Sequence, residues 1–319
     1  MSNNIGNAQI DSDKLGLLIT AFELYNIAKL DNNVYKKDNH FKIAKNLIRM
    51  YYEWINPNYN NMIFNFRRKY IDNEIRAEKN DSPDERKGLS LVYDYIQEFD
   101  VEKDYFDIFT IGLKIHNLLY KPLDAKNASD DIEKAHKLME EARAERNAEK
   151  YKKAKALLNA HDSNHFGGKL RDQSVVMQDF NVDVPDANEA ARFFNSFASP
   201  DKRQEFNRYL EEADIFEYID YAVRTTADLI GVQPFADGNK RTFRSVLNLM
   251  FKKKNLPPVY FVRKERAAYH KALEKAIGEH DYGDLIAFYY YKICDSIYEL
   301  DFVSYIKENQ DNDVKTNKK

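Results

Sequence analysis

The stretch Gln233-Pro-Phe-Ala-Asp-Gly-Asn-Lys-Arg241, continued by Thr242-Phe243-Arg244, decides how the rest of the chain is read. It is a loop that turns into a helix. Pro234 and Gly238 interrupt whatever precedes them. From Asn239 onward, Phe243, Val246, Leu247 and Met250 fall at three- and four-residue spacing. A helix N-terminus carries unpaired N–H groups and partial positive charge. Gly238 lets the backbone approach a ligand closely. Lys240, Arg241 and Arg244 add full charges, and the two arginines share one helix face. Asp237, in the same turn, is a hard oxygen ligand suited to Mg²⁺. Together these describe a site for a nucleotide polyphosphate.

Working outward, the chain of 319 residues is long enough for one or two domains. Its formal net charge of −3 argues against a nucleic-acid binder driven by phosphate neutralisation. Cys294 is the sole cysteine, which excludes an internal disulfide and makes a reducing compartment the simplest home. The N-terminal stretch reads as no signal peptide, and the apolar runs fall far short of a membrane span. Ten glycines and eight prolines favour a mostly helical fold.

The periodicity predicts helices over about 14–30, 40–55, 61–78, 103–120, 186–197, 201–214, 216–230, 264–276 and 282–309, the last with a break near Asp295. Ser82-Pro83-Asp84-Glu85 is a helix start, with a Ser cap, Pro at the first position and Glu closing a capping box. Residues 121–166 read as an insertion. Within it, Ser129 to Ala160 is predicted as one long charged helix with a thin apolar stripe, Ile132, Leu138, Met139, Tyr151 and Leu157. From Gly167 to Pro185 two short strand-like runs, Val175-Val176-Met177 and Val182-Asp-Val184, predict a β-hairpin.

The opening stretch resembles the signature of the Fic (Fic/Doc) family, H-P-F-x-(D/E)-G-N-x-R-x-x-R. Every position from Pro234 to Arg244 fits; the family's histidine is Gln233 here. The Ser82 helix and its successor, ending in Leu113-Lys-Ile-His116-Asn-Leu-Leu-Tyr120, resemble the pair that precedes the target-binding flap in that family. The resemblance implies a mainly α Fic fold with a short β-hairpin flap. It divides the chain into an N-terminal helical extension (1–81), a Fic domain (82–309, with 121–166 as the charged helical insertion) and a disordered tail (310–319).

What the resemblance implies for chemistry is specific. MgATP binds at the helix N-terminus, with Asp237 on the metal. Gly238, Asn239, Lys240, Arg241 and Arg244 bind the nucleotide, with Asn239 at the α-phosphate, Arg241 at the β-phosphate and Arg244 at the γ-phosphate. A protein substrate lies along the flap at Val175, Val176 and Met177, by β-augmentation, and the signature histidine takes the proton from its Tyr, Thr or Ser hydroxyl as AMP is transferred. A primary amide is not protonated near neutral pH, so Gln233 implies an inactivated or weakened enzyme. Whether Gln233 is native or a replacement stays open.

The resemblance further implies autoinhibition by a glutamate on Arg244. Ser304 and Glu308 fit the family's (S/T)-x-x-x-E-(G/N) pattern, and Glu78 is the alternative. Two other functions stand beside AMP transfer. One is a non-catalytic nucleotide-binding or interaction protein. The other is a Doc-like phosphotransferase, a branch whose signature carries Lys where this chain has Lys240. The expected setting is a bacterial cytoplasm, or delivery into a host cell as an effector, with no nucleic-acid partner and with an oligomer compatible.

Overall fold

Helix α1 (Ser12–Leu30) opens the computed structural model, which describes residues 12–30, 34–54, 70–72, 74–75, 82–104, 106–145, 147–160, 166–177, 180–261 and 263–299. It is followed by α2 (Val34–Trp54), α3 (Pro83–Glu98), α4 (Ile108–Ala144), α5 (Ala148–Ala160), α6 (Ala187–Ser196), α7 (Pro200–Glu211), α8 (Ile215–Val232), α9 (Asn239–Lys253), α10 (Arg266–Glu279) and α11 (Gly283–Glu299). The fold is mainly α, as the composition implies, and no strand occurs among the described residues.

The chain forms two compact units. One comprises residues 1–69, 206–225 and 248–319; the other comprises 70–205 and 226–247. In the first, Leu18, Phe22 and Tyr25 of α1 are buried, as are Ala44, Leu47, Ile48 and Tyr51 of α2 and Ile293, Cys294 and Ile297 of α11. The Tyr25 hydroxyl donates to the Tyr291 carbonyl and to Asp295, each at 3.0 Å. Helix α11 runs through Asp295 without the expected break, its Lys292 bonding Asp295 one turn on at 3.3 Å.

The second unit holds the signature stretch. Ser82 caps α3 as the sequence predicts, accepting the Glu85 N–H at 3.1 Å. Helices α3 and α4 cross at Gly88, where an added Cβ would lie 2.0 Å from the Leu119 carbonyl oxygen. Only glycine permits that approach. Helix α4 starts later than periodicity predicts because Asp107 caps it, its carboxylate accepting the Thr110 N–H at 2.9 Å.

The insertion departs from the expected single helix. Helix α4 runs on through Pro122 to Ala144, and α5 begins at Ala148. Asn147 makes that break: its side-chain oxygen accepts the N–H groups of Glu149 and Lys150, both at 3.1 Å. The two helices fold back as a hairpin. Its seam is alanine: Ala135, Ala142 and Ala154 are buried, whereas Tyr151 is exposed. Small side chains let the helices approach closely, which a search for large apolar residues overlooks.

The expected hairpin flap is also corrected. Residues 169–177 and 180–186 contain no strand. Their ends are joined by Arg171 instead, whose guanidinium donates to the carbonyls of Gln173 at 2.8 Å and Pro185 at 2.5 Å. At the far end the Phe180 N–H donates to the Met177 carbonyl at 3.1 Å. One buried side chain supplies the donors that a strand ladder would have supplied.

Candidate nucleotide site

The loop 233–238 is fixed from within. Phe235 is fully buried. It stacks on His116 at 3.9 Å and 9° and meets Phe194 edge-on at 5.6 Å. Asn239 ties the loop to the helix. Its oxygen accepts the Phe235 N–H at 2.9 Å, and its amide donates to the Phe235 carbonyl at 2.8 Å and to Gln233 Oε1 at 3.0 Å. Gln233 itself has φ 49°, a left-handed conformation that non-glycine residues rarely hold and that clusters at functional sites. Its amide nitrogen donates to the Ile230 carbonyl at 2.6 Å. Both ends of the Gln233 side chain are therefore hydrogen-bonded, one to the last turn of α8 and the other to the first residue of α9.

Gly238 has φ 75°, and a Cβ there would lie 2.7 Å from the Tyr120 ring. The glycine is required by backbone conformation and by a neighbouring side chain, in addition to any ligand. The Arg171 backbone N–H donates to the Pro234 carbonyl at 3.0 Å and its Nε to the Gln233 carbonyl at 2.6 Å. The same guanidinium thus holds the signature loop and the 173–186 segment together. Burial lowers its pKa, and the nearby Asp186 carboxylate opposes that shift.

His116 connects the loop to the start of that segment. Gly168 N–H donates to Nδ1 at 2.8 Å, so Nδ1 is unprotonated, and Nε2 donates to the Asp237 carbonyl at 3.1 Å. The ring is neutral; burial pulls its pKa down to about 4. Asp124 adds a second clasp, accepting the N–H groups of Phe166 and Gly167, both at 2.9 Å.

The two signature arginines are buried, and each meets a carboxylate. Arg244 forks onto Glu74: Nε lies 3.2 and 3.1 Å from the two oxygens and Nη2 2.5 Å from Oε2. Glu74 is only 2% exposed at its side chain. Arg241 pairs with Glu85 through Nη1. Its Nη2 donates to the Tyr120 hydroxyl at 3.1 Å and lies 3.4 Å from Asp237 Oδ2. Asp237 stays 67% exposed at its side chain. Lys240 is half-buried, its ammonium 5.4 Å above the Phe180 ring.

The structure thus gathers Gln233, Asp237, Gly238, Asn239, Arg241 and Arg244 in one turn, as the sequence predicts. Along the 173–186 segment Val175 is half-buried, Val176 is 80% exposed and Met177 is buried. Glu78, Ser304 and Glu308 lie outside the described residues. The carboxylate seen on Arg244 is Glu74, four residues before Glu78, which sequence reading passed over because nothing local separates one glutamate of a charged helix from another. Glu85 was assigned to a capping box, but its carboxylate turns to Arg241. Tyr120 gave no signal beyond an aromatic at a helix end.

The Fic/DOC family model matches residues 113–251. That region of the chain resembles a Fic/DOC domain. Curated relatives include the "Protein adenylyltransferase Fic" of Drosophila sechellia, Drosophila simulans and Drosophila melanogaster, each 32% identical over 75 residues. That alignment covers 23% of this chain and 15% of each relative. Among solved structures, Fic-1 (aa134 - 508) from C. elegans is 14% identical with a TM-score of 0.46, covering 91% of this chain and 71% of that one.

For Mg²⁺, the signature turn offers the exposed carboxylate of Asp237. That suits an ion arriving with a nucleotide, because Mg²⁺ keeps waters and phosphate oxygens as most of its ligands. No described helix is long and apolar enough to cross a membrane.

Proposed function

We propose that this chain is a Fic-type protein adenylyltransferase acting on MgATP and a protein hydroxyl, held in a weakened state by Gln233 and by Glu74. The observation that carries the reading is the turn at the start of α9. There a left-handed glycine, an exposed Asp237 and two buried arginines come together at a helix N-terminus. Such a turn binds phosphates and stabilises charge that develops on them.

In the reaction a Tyr, Thr or Ser hydroxyl oxygen bonds to the α-phosphorus. The bond from that phosphorus to the bridging oxygen breaks, and pyrophosphate leaves with the electron pair. Mg²⁺ bound to the phosphates would offset their charge, with Asp237 as its protein ligand. Arg241 and Arg244 hold the β- and γ-phosphates by charge-assisted forks. Val176, exposed on the 173–186 segment, contacts the substrate chain. The hydroxyl proton needs an acceptor, and the Gln233 amide is not one. Glu74 occupies Arg244, the guanidinium that the γ-phosphate requires, so nucleotide must displace a buried carboxylate before it is held correctly. Glu74 takes the inhibitory role that the sequence assigned to Glu308 or Glu78.

A second reading, nucleotide binding without turnover, is favoured by the Gln233 side chain, which is bonded at both ends to the helices flanking its loop. One experiment separates the two: labelling with α-³²P-ATP and Mg²⁺, using the chain as given, Gln233→His, and Gln233→His with Glu74→Gln. AMP transfer predicts a rise of roughly 10²–10⁴-fold on restoring a base, and a further rise in the double variant. Absence of α-label in all three would sink AMP transfer. Label from γ-³²P-ATP alone would assign the chain to phosphoryl transfer.

A further inference from the structure

Tyr120 lies where α3 and α4 cross most closely. Gly88 brings α3 onto the Leu119 carbonyl, which sets Glu85, one turn before Gly88, and Tyr120, next to Leu119, against the same guanidinium. The Tyr120 hydroxyl donates to Asp237 Oδ2 at 2.7 Å and accepts from Arg241 Nη2 at 3.1 Å. Its ring is held on three sides: His116 at 4.8 Å, Phe166 at 4.7 Å and the open Cβ side of Gly238. The phenol is buried and its pKa is raised, first by that burial, so it remains a neutral donor.

Asp237 is the only member of this group whose side chain is mostly exposed. An exposed carboxylate on a loop would ordinarily sample several rotamers. Here one of its oxygens is fixed by a hydroxyl that is itself fixed by packing, and the other oxygen remains for a ligand. The same hydroxyl orients Arg241 from the side opposite Glu85. One atom therefore sets the relative placement of the carboxylate and the first signature arginine.

We propose that Tyr120 is a positioning residue for the metal–nucleotide site: through its hydroxyl it orders Asp237 and Arg241 as a unit, so that MgATP meets a preformed carboxylate–guanidinium pair. This rests on the nucleotide reading above. Tyr120 touches neither substrate nor reacting atoms; it acts through Asp237.

The test measures binding of mant-ATP to the full chain with excess Mg²⁺ and with EDTA, for the unmodified protein, Tyr120→Phe, Asp237→Ala, and both together. The ratio of the two dissociation constants is the metal-dependent gain. Tyr120→Phe keeps the ring and its packing and removes one oxygen. The expected result is a roughly three- to tenfold smaller metal-dependent gain, of the order one ordinary hydrogen bond provides, with affinity in EDTA changed less than about twofold. In the Asp237→Ala background the same change has no further effect on the gain, as coupled residues require. Equal weakening in both arms, or an unchanged gain, overturns the proposal, because a purely structural tyrosine would act without regard to metal. A gain that survives Asp237→Ala overturns it as well. If the unmodified chain binds in neither arm, the nucleotide reading itself has failed and this inference goes with it. A thermal melt of each variant without ligand confirms that the comparison is between folded proteins.

Discussion

Helix α4 is one rod with two kinds of electrostatics. Up to Asp124 three of its polar residues, His116, Tyr120 and Asp124, are buried, and their partners lie far along the chain: His116 and Tyr120 reach Asp237, and Asp124 reaches Phe166 and Gly167. Beyond Asp124 the charges face solvent and pair nearby, as Lys134 does with Asp131 and Lys150 of α5 with Glu145. Both halves carry polar and charged residues in sequence, the second more of them. They differ in what removes water from them. The first half is covered by α3 at the Gly88 crossing and by the signature loop; the second, among its described side chains, is covered along buried alanines. Charge in the first half is therefore oriented and costly to disturb, whereas charge in the second is screened.

The largest test of that contrast is in the cradle that the first half supports. Arg244→Ala leaves Glu74 buried with its fork partner gone. A stranded buried carboxylate destabilises by about 3–5 kcal/mol, readable as a shift of the urea midpoint at pH 7. Arg244→Ala combined with Glu74→Ala is expected to recover much of the loss, because the uncompensated charge is gone too. A single variant as stable as the unmodified chain would mean that Glu74 reaches water or another cation when Arg244 leaves, and the cradle would be no drier than the hairpin.

A smaller effect comes from His116 and depends on pH. Its pKa is about 4 in the folded chain and about 6.5 in an unfolded one. Above pH 6.5 the ring is neutral in both states, and its contribution to stability is fully present. As pH falls from 6.5 towards 4, the unfolded chain takes up a proton that the folded chain refuses. Stability falls across that window, by roughly 3 kcal/mol in total. His116→Asn, whose side-chain oxygen can still accept the Gly168 N–H, is expected to flatten this part of the profile. Urea midpoints for both chains between pH 7 and 4.5 measure it. Parallel profiles would mean that the folded state accepts the proton, and the buried half of α4 would titrate like its exposed half.

The same contrast explains what the sequence revealed and what it concealed. The signature turn was legible because its chemistry is local: Pro234, Gly238, Asn239 and the arginines lie within a dozen positions, and periodicity places them at a helix start. Helix α3 was legible for the same reason, with Ser82 and Pro83 as its signal. The partners of the arginines were not. Glu74 and Glu85 are 170 and 156 positions from the residues they pair with, and each looks like an ordinary surface glutamate. The hairpin flap was read from β-branched pairs at 175–176 and 182–184, but periodicity does not reveal that Arg171 would gather the carbonyls first. The break at Asn147 had a local signal, an asparagine in a charged helix, that lost weight against helix-forming neighbours on both sides. Tertiary donors override local propensity where they are buried, and local caps override it where nothing else competes.

The smallest effect is expected at the exposed end of the rod. Lys150 bridges Glu145 at 2.8 Å and Glu141 at 3.4 Å, with a third of its side chain exposed. By distance alone the closer of these ion pairs matches those in the cradle. By environment it should not matter: water already solvates all three groups, holding long side chains in one geometry costs entropy, and salt screens the attraction. Lys150→Ala is therefore expected to move the melting temperature by no more than about 1 °C, with that difference vanishing in high salt. Arg244→Ala should lose the same stability at low and high ionic strength, since ions do not penetrate a dry pair. If both variants responded alike to salt, distance would be the better guide and the division of α4 at Asp124 would be wrong. If only Lys150→Ala responds, the cover over each half of the helix, rather than the spacing of its charges, decides which of them the fold depends on.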